Sequence, residues 1–269
     1  MPKVRYYSDV KIIKKPLKER VKLGLKFFLF LFVVAGCFLS ATYLSSALTV
    51  GNLGAFIVYG DTQKSIDKMV MYAVTLGEYQ EKSEAEKVAL ASTIQGASGF
   101  VWESDNYWVI GSIYSSLSDA EKVVENLKDS GFGVAIKEIA FPKLKLNFDM
   151  YSNEDMPTVD KAISSFDNVY RELYGSSIKF DKGELNNLAI SSNLSKTRGE
   201  IKAIIVSVQN LLNLGDSKLK QIQASLIRLD ELLDQSIIKT IDNSATGYSL
   251  KYSIASVVRL KYDLFMELA

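Results

Sequence analysis

The chain has 269 residues, a net charge of +1, a single cysteine and no histidine. That composition excludes a Ser-His-Asp triad, a Cys-His dyad, the His/Cys sites typical of catalytic zinc and any disulfide within the chain. Catalysis would have to run on carboxylates, Lys, Tyr or Ser, and neither a metal nor another cofactor is expected. Residues 1–26 carry nine Lys/Arg against Asp9 and Glu19. They read as a cytoplasmic tail whose charge suits anionic lipid headgroups. "FFLFLFVVAGCFLSATYLSSALTV", residues 27–50, then runs 24 residues without a charge, long enough for a transmembrane helix. The basic flank predicts an inside N-terminus and a cell-membrane, single-pass protein with everything after residue 50 outside the cytoplasm. Two rivals stand beside this reading: "VAGC", Val34–Cys37, has the form of a lipobox, and the segment also resembles a long cleaved signal peptide. Each keeps the remainder outside.

Residues 51–69 read as a linker, with Asp61–Lys68 a polar lead-in. A domain over 70–140 follows, and it carries an internal repeat. "YQEKSEAEKVALASTIQG" starts at Tyr79 and "YSSLSDAEKVVENLKDSG" at Tyr114, with Tyr, Ser, Ala-Glu-Lys-Val and the last Gly recurring at an offset of 35. Two copies are too few for a solenoid. "VMYAVTLG", 70–77, predicts a strand; the helix after it is predicted to start with Ser83 as N-cap and Glu86 completing a capping box, and to end at Gly96. "GFVWES" and "YWVIGSIY", 107–114, predict two further strands. A second helix is predicted from Ser118, with Glu121 at the same spacing, and "VAIKEI", 134–139, is the last strand. The order is βαββαβ, a split βαβ with both helices on one face of an antiparallel sheet.

Strand alternation assigns Tyr72, Val74, Leu76, Tyr107, Val109 and Gly111 to the helix-covered face. Met71, Ala73, Thr75, Trp108, Ile110 and Ser112 fall on the opposite face. Trp and Ile there require a covering, because isolated domains seldom expose a contiguous apolar patch. Either a ligand or the C-terminal half provides it. Residues 61–139 hold seven Lys against thirteen Asp/Glu, a balance of −6, which excludes a phosphate-binding surface for nucleic acid.

Gly77, Tyr79, Ala85 and Gly96 in the first copy, with Tyr114, Ala120 and Gly131 in the second, resemble the SPOR (sporulation-related repeat) domain of bacterial cell-wall proteins. Ser112 stands where that family's second motif Gly is expected, Thr75 where many members have Gln, and Glu78 at a small or Ser position. The layout of tail, span and SPOR domain is similar to the stage II sporulation protein B type. The resemblance implies a non-catalytic protein that binds peptidoglycan glycan strands stripped of stem peptides, through the sheet face, at a division or sporulation septum. The candidate glycan-binding residues are then Trp108 and Ser112, followed by Thr75, Ile110, Trp102 and Lys137; an aromatic plate with polar partners suits a sugar ring.

A linker is expected over 141–156 and an antiparallel helical bundle over 157–269. The first bundle helix is expected to place Val159, Ile163, Phe166, Val169, Tyr170 and Leu173 inward and to stop at Gly175. The second is expected from Lys182 to Leu214, with Leu185, Leu188, Ile201, Ile204, Ile205, Val208, Leu211 and Leu212 on one stripe and a kink or exposed stretch at "SSNLSKTRGE". Leu219, Ile222, Leu226, Leu229 and Leu233 mark the third. Leu250, Ile254, Val257, Leu260, Leu264 and Phe265 mark the fourth. Asp230–Glu231 read as a solvated face. The predicted fold class is therefore α+β: a transmembrane helix, a βαββαβ SPOR-like domain and a C-terminal bundle that recruits or regulates a division or sporulation partner. A wall hydrolase using two carboxylates in the helical domain and an extracytoplasmic small-molecule sensor are the competing functions.

Overall fold

The repeat sets the central architecture. In the computed structural model, which describes residues 63–128, 132–148, 151–212, 216–242 and 246–269, the βαββαβ order is present. The elements are β2 (Met69–Tyr79), α1 (Lys82–Thr93), β3 (Phe100–Glu103), β4 (Tyr107–Tyr114), α2 (Leu117–Leu127) and β5 (Ala135–Phe141). The four strands form one antiparallel sheet in the order β3-β4-β2-β5, so the first strand of each copy lies at the centre and the last at an edge. The 35-residue offset survives folding: the N-caps are Glu81 and Ser116, and the edge strands begin at Phe100 and Ala135. These caps correct the predicted ones. Ser83 lies inside the first turn of α1, which has no side-chain cap, whereas the Ser116 side chain accepts from the Asp119 N–H. Ser118 is the second residue of its helix.

The segments read as linkers contain a second sheet. β1 (Gln63–Ile66) pairs antiparallel with β6 (Leu144–Asn147), Ile66 opposite Leu144. Leu144, Leu146 and Phe148 are buried, so β6 alternates inward and outward as a half-buried strand does. Lys64 on β1 meets Asp160 at 2.7 Å.

Four long helices follow: α3 (Met156–Asp181), α4 (Asn187–Leu211), α5 (Ser217–Ile241) and α6 (Thr246–Leu268). Their connections are five residues or fewer, which makes successive helices antiparallel neighbours. α3 also packs on α6, closing a four-helix bundle. Pro157 sits in the first turn of α3, where its missing N–H is not needed. α3 runs through Gly175 instead of stopping there. Gly183, just beyond its end, has a φ of 72°, and the Glu184 N–H reaches back to the Lys179 carbonyl at 2.8 Å; this left-handed cap is the one glycine readily supplies. The expected inward residues of α3 and α5 are all buried. In α4 the stripe is different. Ile190, Leu194, Ile201 and Val208 are buried, but Leu188 is 78% exposed.

The polar middle of α4 does not break it. Arg198 reaches across to α5, its Nε 2.8 Å from Asp230 Oδ1 and its Nη2 3.2 Å from Oδ2, with Asp234 beside it. Asp230 is therefore a half-buried partner of a bidentate ion pair, not part of a solvated face. Hydrogen bonding to Asp230 raises the Arg198 pKa.

Among the described residues the chain is α+β, with six helices and two antiparallel sheets. A small core lies between the sheet and α1 and α2, around Leu76, Ala85, Ala89 and Val109. A far larger one runs without a break from the other sheet face into the bundle, joining Met71, Ile110 and Phe141 to Phe166, Leu226 and Phe265. The predicted transmembrane segment, 27–50, lies outside the described residues. No described helix is long and apolar enough to cross a membrane.

Candidate functional site

The sheet face that carries the predicted site is covered by α6. Tyr252 packs edge-on against Phe100 at 5.4 Å, and Tyr262 against Trp102 at 5.5 Å and Phe141 at 5.7 Å. The Arg259 guanidinium lies 5.0 Å over the Trp102 ring and donates to the Glu103 carbonyl at 2.6 Å. Of the two coverings that alternation demanded, the C-terminal half provides this one. Trp102, Thr75 and Ile110 are consequently buried, at 3%, 1% and 0% exposure. Thr75 spends its hydroxyl on the Ala135 carbonyl at 3.2 Å.

Ser112 is on the wrong face in the sequence reading. The β2–β4 register passes from Val74–Ser112 directly to Thr75–Ile110, leaving Gly111 as an extra residue. Such a bulge resets the alternation of the strand that carries it. Ser112 thus joins Val74, Leu76, Tyr114 and Phe132 in lining a cleft of about 160 Å³ under α1 and α2. Lys251 also lines this cleft, its Nζ 3.0 Å from the Gly96 carbonyl and 3.2 Å from Asp181. Burial raises the Tyr114 phenol pKa.

What remains open is one end of the sheet. Trp108 and Lys137 are half-buried there, and Glu78 is exposed. The Trp108 indole N–H donates to Glu78 Oε1 at 3.2 Å, and Asn106, in the β3–β4 turn, donates to the same oxygen at 3.0 Å. Lys137 Nζ donates to Glu78 Oε2 at 2.6 Å and stands 5.3 Å from the centre of the Trp108 ring. The strand pairing fixes this cluster. Glu78 is opposite Trp108, and Lys137 is opposite Ala73, so all three side chains share the face that α6 covers farther along. Of the six predicted residues the structure brings Trp108 and Lys137 together at an accessible place. The sequence reading noted Glu78 only as a departure from a family pattern; its carboxylate is the centre of the cluster.

Hydrogen bonds from Lys137, then Asn106, hold the Glu78 carboxyl down to about 2. The folded value lies below the ordinary one. The carboxylate contacts are therefore present above the usual carboxylate range and are lost as pH falls toward 2. In an acid titration the Trp108 indole resonance is expected to report a midpoint near that value, not near about 4.3. Lys137→Met is expected to raise the midpoint toward the ordinary range.

A buried charge lies at the junction of sheet and bundle. Lys261 of α6 is 5% exposed, pairs with Asp167 of α3 at 2.6 Å, and faces the rings of Phe141 and Phe265 at 5.4 and 5.1 Å. Among the described residues no group of three or more His, Cys, Asp or Glu is placed to hold a metal ion. Compared with protein-family models, with curated proteins and with solved structures, the chain matches none of them.

Proposed function

We propose that the protein is a membrane-anchored, extracytoplasmic peptidoglycan-binding protein of the division or sporulation septum, without catalytic activity of its own. On this reading the glycan strand is met at the open end of the sheet, around Trp108, and not along the whole sheet face that the resemblance to SPOR domains implies. The observation that supports it is the half-buried Trp108 ring at an uncovered sheet end, with an amide and an ammonium beside it. A sugar ring presents C–H faces that stack on indole and a rim of hydroxyls that take such polar partners. The bundle has a double role in this proposal: α6 holds the sheet, and the outer faces of α4 and α5 are left to a septal partner.

The test is co-sedimentation of the full chain, in detergent, with purified sacculi before and after amidase treatment. The expected result is pelleting that rises after amidase and falls about tenfold in apparent affinity, roughly 1.4 kcal/mol, in Trp108→Ala. Absence of pelleting by the folded wild type, or equal pelleting by the variant, would overturn the proposal.

A further inference from the structure

The Trp108 cluster has an unusual polarity. Three donors of different origin converge on one acceptor: an indole N–H from β4, a side-chain amide from the β3–β4 turn and an ammonium from β5. The donors come from two strands and the turn between β3 and β4, and they meet on one carboxylate. Glu78 lies near the end of β2, and its side chain is 38% exposed, on a rotatable stem with solvent beside it.

We infer that the cluster is an anion site filled by the protein's own Glu78, and that it takes the carboxylate of an acidic sugar when Glu78 swings aside. This rests on the glycan-binding reading above and names the chemical class of glycan that the same site prefers.

The argument is one of exchange. With Glu78 in place its charge and that of Lys137 cancel. With Glu78 turned into solvent the site holds one unpaired ammonium and two unpaired N–H groups. A neutral sugar replaces none of those charge-assisted bonds, and so gives up more than it gains. A carboxylate replaces all of them like for like, while its ring gains the face of Trp108. The displaced Glu78 charge is then in water, where its repulsion of the incoming anion is screened. Glu78 thus acts as an internal competitor. It contests the donors with an incoming carboxylate, whereas a neutral saccharide makes no claim on them. The depressed Glu78 pKa agrees with donors arranged around an anion.

The two tryptophans make the test direct. The full chain is labelled with 15N at indole nitrogen, so that buried Trp102 is an internal reference and Trp108 the reporter. Wild type and Glu78→Gln are titrated with N-acetylmuramic acid, which has a carboxylate, and with N-acetylglucosamine, which has none. The expected result is a midpoint for the acidic sugar about fivefold lower in Glu78→Gln, no change for the neutral sugar, and loss of the acidic-sugar response when Lys137→Met is added. Equal tightening for both sugars, or none for the acidic one, overturns the inference. If sacculi still pellet the wild type in that case, the glycan reading stands without it. If neither sugar shifts Trp108 in either protein and sacculi fail to pellet it, both fall.

Discussion

Replacing Phe141 by alanine is expected to lower the unfolding free energy by about 3–5 kcal/mol, the cost of truncating a buried aromatic residue. Phe141 ends β5 and is 2% exposed. Its ring meets Tyr262 at 5.7 Å and Phe265 at 5.6 Å, both from α6. The lost contacts therefore span the sheet and the bundle. Because one continuous core joins the two, both should unfold in a single transition. Denaturant curves followed by tryptophan fluorescence, which reports the sheet, and by far-ultraviolet dichroism, which reports mainly the helices, should coincide and shift together. A bundle transition that stays in place while the sheet transition moves would show that the helices are stable alone, and that the covering of the sheet is a docking of separate domains.

Asp167→Ala is expected to cost about 2 kcal/mol, and Lys261→Met to cost less than about 1 kcal/mol. The asymmetry follows from burial. The Lys261 side chain is 6% exposed and that of Asp167 46%. Removing Asp167 takes away the carboxylate paired with an ammonium that lies among Phe141, Phe265 and the Met69 sulfur. Removing the ammonium instead leaves a carboxylate that water reaches, and the methionine thioether fits the same apolar walls. The figure for Asp167→Ala lies below that for breaking a fully buried pair because water enters at the vacated position. Equal losses for the two variants, read from chemical denaturation, would contradict this account.

Local signals carried most of the fold. A fixed offset of 35 residues implied two like halves, and their strands pair as a split βαβ requires. The five apolar positions of α5 recur at three and four residues, and each is buried. Misreadings arose where a non-local contact overrides local chemistry. Gly175 is tolerated within α3 because tertiary packing on both sides offsets its low propensity. The polar run in α4 stays helical because Arg198 has partners on another helix. β1 and β6 are four residues each and are separated by 77 intervening residues, so no local pattern announces their pairing. The site was legible in part. Trp108 lies where alternation put it, and Lys137, named only through the family resemblance, stands beside it. Ser112 does not, because a bulge leaves only a glycine as its mark. The covering by α6 was one of two outcomes that an apolar second face permits, and sequence alone did not choose between them.

The 35-residue offset relates the two sheet edges position by position. Applied to β3, it sets Phe100 against Ala135 and Trp102 against Lys137. These positions are equivalent in the two halves, yet their surroundings differ. Phe100 and Trp102 are rings packed against Tyr252 and Tyr262 of α6. Ala135 is exposed and Lys137 half-buried at the open end of the sheet. The same place in the repeat is thus closed in one half and open to solvent in the other.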